Sequence, residues 1–461
     1  MLRTSLVLLA LAASLSAQVS MTLVGTVDVS STANGANPHF IGSNPTAVAW
    51  NGTDLFVAGY NASGAPGTAA ITKVTTPLTT PVFSPAFGIQ AATPNIRGYT
   101  GLDITSGILV ASYDPGSAVN EGITGWDLNG NSLWQRNGRG SSGVAIDPGF
   151  GGVDFGAGWT TFGSGRRALQ NQLTGSDLYT SANGAIFNPT PSPGTTWRDM
   201  DFDDLTGDVW LRMGNKVVAA TRSAGNTFVN QRVVVDATLA TTIIAQNLAF
   251  VRQFSGEVVF WNERSSTPAG QPFTTSVRCS RAVDGSDIVV DWGTFVAPAG
   301  VGAYDFSYDN ATGTLAISDF NARQVHIFRV SIFETFGTGC PGQGGITPTL
   351  AAGGSAWGPG AINFTLANAA PLSIGLFVFG NTPVSVPLPF GAFCPLHVAP
   401  VLLLDGFFIT GPGGPGSGSG AVTVPVPLGA SGFNLAVQGA MLENGDLNQA
   451  VTSNGVFVVL P

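Results

Sequence analysis

The chain has 461 residues, enough for two or three domains with sizeable cores. Its 62 glycines and 29 prolines accompany a hydrophobic fraction of 44%, which excludes a disordered chain and points to many tight turns between apolar segments. Only 10% of the residues are charged, the net charge is −9, and no Lys/Arg stripe is present to hold a phosphate backbone, so nucleic acid is excluded as a partner.

Residues 1–17 read as a secretory signal peptide. Arg3 supplies a positive start, Leu6 to Ala13 a short apolar run, and Ser14-Leu15-Ser16-Ala17 small residues for cleavage after Ala17. The apolar run is too short for an anchor, and no later run reaches the length of a transmembrane segment. The expected location is therefore secreted or cell-surface associated.

The mature chain lacks long helical periodicity. Runs of Val, Ile, Thr and Phe between Gly, Pro, Asn and Asp clusters predict an all-β fold. Six hairpins recur. Their inner strands align as Val48-Ala49-Trp50, Leu102-Asp103-Ile104, Val144-Ala145-Ile146, Met200-Asp201-Phe202, Leu248-Ala249-Phe250 and Tyr304-Asp305-Phe306. Each leads through a turn with glycine into a second strand, for example Val153-Asp154-Phe155, Val209-Trp210-Leu211 or Leu315-Ala316-Ile317. Glycine suits a tight hairpin because it takes positive φ without steric cost. A repeat of about 50 residues is that of a four-stranded propeller blade with loops, which predicts a six-bladed β-propeller over 18–332. The last unit has three strands, and Met21 to Val29 is expected to supply the fourth and close the ring.

Asp319-Phe320-Asn321-Ala322-Arg323-Gln324-Val325-His326-Ile327-Phe328, following Gly313-Thr314-Leu315-Ala316-Ile317, resembles the NHL-type repeat of six-bladed propellers. That repeat links its second and third strands through an Asp, an Asn and an Arg. The segment here is one residue shorter, and the other five units lack the set, so the resemblance implies a fold and carries over no functional residue.

Composition shifts after Phe333. From Gly337 onward there is no Lys or Arg, and the only acids are Asp405, Glu443 and Asp446. Short apolar segments at regular spacing predict a small C-terminal β-sandwich over 337–461. Phe336-Gly337-Thr338-Gly339-Cys340 and Phe393-Cys394-Pro395-Leu396 resemble a C-terminal module of exported bacterial proteins, which opens with Phe-Gly-x-Gly-Cys and carries a later Cys-x-Leu. With that resemblance, Cys340–Cys394 reads as a disulfide worth roughly 4 kcal/mol in the chain-entropy model. Cys279 reads as a buried, inert thiol.

Three acids, Asp103, Asp201 and Asp305, occupy the same aligned position on alternate units. One reading has them face the channel and share Ca²⁺, a cation that takes several oxygens. The other has each hydrogen-bond backbone amides between neighbouring blades. The acidic run Asp201 to Asp208 departs from an EF-hand loop and reads as a turn. Loops entering the inner strands carry Arg97, Tyr99, Arg139, Trp197, Arg198 and Asp199. These are candidates for a ligand-binding channel mouth, through bidentate bonds and stacking. No nucleophile elbow or zinc spacing occurs, the three histidines are scattered, and Gly411 to Gly416 has no strand-to-helix context to bind a dinucleotide.

The expectation is a secreted recognition or structural protein that needs no cofactor. Its propeller would bind an extracellular protein or carbohydrate, and its C-terminal module would serve surface attachment or sorting. The alternative is a calcium-dependent hydrolase, lactonase- or phosphoesterase-like, working in the channel.

Overall fold

The computed structural model describes residues 17–33, 38–60, 68–91, 98–105, 107–114, 122–137, 141–149, 156–161, 167–170, 197–214, 216–224, 227–237, 247–253, 255–262, 273–297, 302–387, 394–446 and 449–461. The expected signal peptide, apart from Ala17, lies outside them. The chain divides into two compact units, one built from Met21–Gln253 with Glu257–Val330, the other from Ser331–Pro461 with Phe254–Gly256 and the residues through Ser20. Apart from short 3₁₀ turns, the regular structure of the described residues is all β.

In the larger unit the six inner strands are Asn44–Trp50, Gly98–Ile104, Ser141–Asp147, Trp197–Phe202, Leu248–Gln253 and Ala303–Asp309. Each forms an antiparallel hairpin with the strand that follows it, and further strands continue the sheet outward. Each inner strand neighbours the next one in the chain, and Ala303–Asp309 neighbours Asn44–Trp50, so the six close on themselves around a central channel. The unit is a β-propeller. Hairpin glycines sit where positive φ is required: Gly207 and Gly313 end equivalent turns at φ 72° and 64°.

One reading of the repeat falls outside the described residues and one needs correction. In the third hairpin the partner of Ser141–Asp147 is Gly156–Thr161, with Ile146 opposite Ala157. Val153-Asp154-Phe155, expected as the start of the second strand, lies outside the described residues. In the sixth hairpin the register is displaced by two. Tyr308 lies opposite Leu315, as Trp50 lies opposite Leu55 and Phe202 opposite Val209. The residue equivalent to Ala49, Asp103 and Asp201 is therefore Ser307, and Asp305 is equivalent to Asp199.

Ring closure involves the start of the chain. The strand Ala17–Asp28 is hydrogen-bonded to Gln324–Phe336, the third strand of the last sheet, and on its other side to Val290–Asp291. Val29 N–H donates to the Arg323 carbonyl at 2.8 Å, just beyond the turn in which Asp319 accepts the Ala322 amide at 3.1 Å. Val27 and Val29 share one buried cluster with Val48, Trp50, Leu55 and Val57 of the first sheet and Ala316, Val325 and Ile327 of the last. Each such side chain contributes about 1.5–3 kcal/mol by leaving water, so the closure is a continuous core as well as a ladder.

The smaller unit has a three-stranded sheet, Thr349–Gly354, Gly360–Ala369 and Gly418–Val426, and a second sheet running Ala450–Val459, Asn434–Leu442, Ile374–Pro387, Pro395–Ile409. The first of these strands was not foreseen. Leu350, Ile362, Phe364 and Leu366 of one sheet and Phe377, Val437, Met441 and Val456 of the other form a single core, as an almost charge-free segment requires. Cys340 and Cys394 are disulfide-bonded. The residues of the Phe-Gly-x-Gly-Cys segment meet those after Cys394: the His397 ring lies edge-on to Phe336, and its Nε2 is 2.9 Å from the Thr338 carbonyl. Gly337 has φ 65°, and a Cβ there would stand 2.5 Å from the His397 ring. Gly337→Ala should therefore lower the melting point of this unit, at a cost of about 2–4 kcal/mol measurable by chemical denaturation.

Candidate functional site: the channel and its mouth

Alternate residues of a strand share a face, so each inner strand presents two successive side chains to the channel and its neighbours. These make two tiers. The deeper one holds Ala49, Asp103, Ala145, Asp201, Ala249 and Ser307, polar on every second blade. Each polar side chain reaches the backbone of the next inner strand: Asp103 accepts the Ile146 amide at 2.6 Å, Asp201 that of Phe250 at 2.7 Å, and Ser307 Oγ that of Trp50 at 2.9 Å. The recipient strand carries alanine at that level, which leaves room for its neighbour's side chain. The second carboxylate oxygens of Asp103 and Asp201 take the amides of Ile104 and Phe202. The alternation of acid and alanine is thus an inter-blade fastening.

The tier nearer the mouth has Asp199 and Asp305. Asp199 accepts the Leu248 amide at 2.8 Å, and Asp305 accepts those of Val48 and the Asn247 side chain, each at 2.7 Å. Opposite Asp199 stands Gly143, where a Cβ would come within 2.3 Å of the carboxylate. Arg212, directly across the hairpin from Asp199, is fully buried. It donates to the Asn262 carbonyl at 3.1 Å and lies 4.7 Å over the Trp261 ring.

Burial governs the electrostatics. It raises Asp103 and Asp305 to about 7, against amide hydrogen bonds that pull both down. It also holds Asp199 and Asp201 well above the usual carboxylate range, with charge from Asp305 acting on Asp199 and from Asp103 on Asp201. Burial brings Arg212 down to about 10, opposed by the Asp199 charge.

The channel holds about 390 Å³ of space, part of it open to solvent, among Asp103, Asp199, Asp201, Asp305 and Tyr308. At the hairpin-turn end Asn310 Nδ2 donates to Asp204 at 2.5 Å, joining the turns of the fourth and sixth blades, which are not neighbours. Tyr308 accepts from Gln253 at 3.2 Å beside them.

The candidate residues fare unequally. Arg97 and Arg139 lie outside the described residues, and Trp197 is described only by its backbone. Tyr99 is not at the mouth. It is buried against Tyr113, its hydroxyl donating to the Gly88 carbonyl, because its position in the strand faces the blade core. Asp199 is buried in the inter-blade fastening, whereas Arg198 is half-buried at the mouth end. Asp103, Asp201 and Asp305 occupy two tiers instead of one, and among the described residues no three His, Cys, Asp or Glu side chains converge on a common point. Cys279 is buried, which raises its thiol.

Residues missed by sequence reasoning include Tyr304 and Phe320, whose rings stack at 5.1 Å, both half-buried at the mouth end of the sixth blade. Asn44, entering the first blade, donates to the Phe320 carbonyl at 2.7 Å. The signal lay in the alternation: Tyr304 precedes an inward Asp305 and belongs to the opposite face of the strand.

No family model and no curated protein sequence matches the chain. Among solved structures it is similar to the Dos1 propeller, at 11% identity and a TM-score of 0.37, over 67% of this chain and 95% of that one. It is also similar to the β-propeller domain of Cps50 (Swd1) from Myceliophteria thermophila, at 10% identity and a TM-score of 0.38, over 62% and 84%.

Proposed function

We propose that this chain is a secreted recognition protein, in which a six-bladed propeller presents its mouth to a partner and a C-terminal β-sandwich serves surface attachment or sorting. The observation that carries the reading is the division of labour among the inner strands. Their carboxylates are engaged in joining blade to blade, and the aromatic pair Tyr304–Phe320 and Arg198 lie half-buried at the end where the inner strands begin. Such a pair suits a partner with a flat, partly apolar face, either a sugar ring or an aromatic side chain. Secretion rests on the apolar segment before Ala17, and the attachment role on the nearly charge-free, disulfide-bonded C-terminal unit.

The test is binding of the full chain to panels of immobilised glycans and secreted proteins. A partner of the mouth should lose at least about tenfold in affinity with Tyr304→Ala, a loss of 1.4 kcal/mol or more. Binding indifferent to both Tyr304→Ala and Arg198→Ala places the recognition face elsewhere. Export is checked separately by sequencing the N-terminus of the mature protein, expected at Gln18.

A further inference from the structure

One titratable side chain of the ring has no part in the mouth or the channel. His326, on the third strand of the last sheet, is 2% exposed and makes a side-chain bond to the closing strand, Nδ1 lying 3.1 Å from Thr26 Oγ1. Its Nε2 is buried without a hydrogen-bond partner. The ring stacks on Phe273 at 5.3 Å and 5°, meets Phe295 at 5.1 Å and 62°, and lies 6.2 Å from Phe328. Trp292 backs this box, edge-on to Phe328 at 5.2 Å. Phe295 and Trp292 directly follow Val290–Asp291, the pair of residues that flanks the closing strand on its other side. The imidazole therefore sits where both neighbours of the closing strand meet.

We propose that His326 is an acid-sensitive latch on the ring: in this buried box a protonated imidazolium gives up its hydration and gains only a cation–π contact with Phe273 in return, so acid frees the closing strand, Met21 to Val29, before the rest of the propeller opens.

The box offers the cation no counter-charge. Its contacts are Thr26, Phe273, Phe295 and Phe328; Arg329 on its own strand is a like charge, and the acids of the surrounding elements are held by their own turns. Asp28 accepts the Ser30 amide, Asp291 that of Gly293 and Asp319 that of Ala322. Burial alone brings His326 down to about 4 from 6.5. A histidine depressed in the closed state and ordinary in the open one binds fewer protons when closed. Closure is thus fully supported above about pH 6.5 and loses support as the pH falls toward 4. The closed-to-open ratio should fall by about 100-fold or more across that window.

Hydrogen exchange of the full chain, corrected for intrinsic rates and followed by mass spectrometry between pH 7.5 and 4, tests this. The closing-strand peptide should open about 100-fold more at pH 4, while peptides of the inner strands stay protected. His326→Gln, neutral throughout, should abolish the pH dependence. Should that variant fail to fold, Thr26→Val removes the hydrogen bond and keeps the imidazole: opening should rise at every pH with the same slope. A flat wild-type profile, an unchanged slope in His326→Gln, a lost slope in Thr26→Val, or simultaneous opening of all strands each overturns the latch.

Discussion

Replacing Arg222 with methionine should destabilise the propeller by about 3–5 kcal/mol, the usual cost of removing one partner from a buried ion pair. Arg222 and Asp147 have no exposed side-chain surface, and a guanidinium Nη2 donates directly to the carboxylate between the third and fourth blades. Nε donates to the Gly207 carbonyl at 2.9 Å, and the guanidinium lies 4.7 Å from Phe228 and 5.6 Å from Phe202. Asp147 also accepts the Gly149 amide at 2.9 Å. Methionine keeps part of the side-chain volume but leaves the Asp147 charge buried and poorly compensated, which is the source of the penalty. The double variant Asp147→Asn, Arg222→Met removes both charges and should cost clearly less than the two single changes added together. Denaturant midpoints for the four proteins of this cycle measure the coupling. A loss below 1 kcal/mol for Arg222→Met would show that the blades are joined there by packing alone.

The pair illustrates where sequence reasoning reached its limit. Hairpins were legible because apolar alternation and a glycine turn are local signals, and the closing strand was legible because the last unit lacked a fourth strand. The disulfide followed from a motif whose glycines the structure explains, Gly337 by the His397 ring and Gly339 by a Cβ that would stand 2.6 Å from the Thr452 carbonyl. Register in the sixth blade was misread for a physical reason. A shift of two along a strand keeps every side chain on its face, so Tyr304-Asp305-Phe306 mimics Met200-Asp201-Phe202 as well as Phe306-Ser307-Tyr308 does. The turns held the answer, since Asp203 to Gly207 and Asp309 to Gly313 share the pattern Asp-x-x-Thr-Gly, and aligning them sets Phe202 on Tyr308. Arg222 with Asp147, and Arg212 with Asn262, join residues of different blades. Nothing in one unit's pattern announces its neighbour's side chain, although a lone arginine in an otherwise apolar second strand, as at Arg212, marks a buried polar contact.

The channel carboxylates lead to the second large effect, a stability that rises as the solution is made mildly acidic. Asp103 and Asp305 stand at about 7 when folded and near 3.8 when not, with desolvation the leading cause. Between those values the folded chain holds protons that the unfolded chain has released. The sign is therefore that folding is favoured more at pH 5 than at pH 8, and the gain is lost as the pH climbs through 7. Each of the two contributes at most about 4 kcal/mol, less where water enters the channel. Carboxylates held low by hydrogen bonds, such as Asp127 and Asp284, act in the opposite sense but are largely solvated. Calorimetric melts should accordingly show a melting point several degrees higher at pH 5 than at pH 8. Asp103→Asn should flatten part of that slope, while forfeiting one of the two amide bonds, from Ile104 or Ile146, at every pH because its Nδ2 cannot accept. A melting point that falls steadily from pH 8 to pH 5, or a slope that Asp103→Asn and Asp201→Asn both leave intact, would mean that the channel keeps these acids ionised through hydration. The contrast with His326 makes the two effects separable in one protein: over the same range acid should tighten the inner ring, read as a higher melting point, and loosen the closing strand, read as faster local exchange.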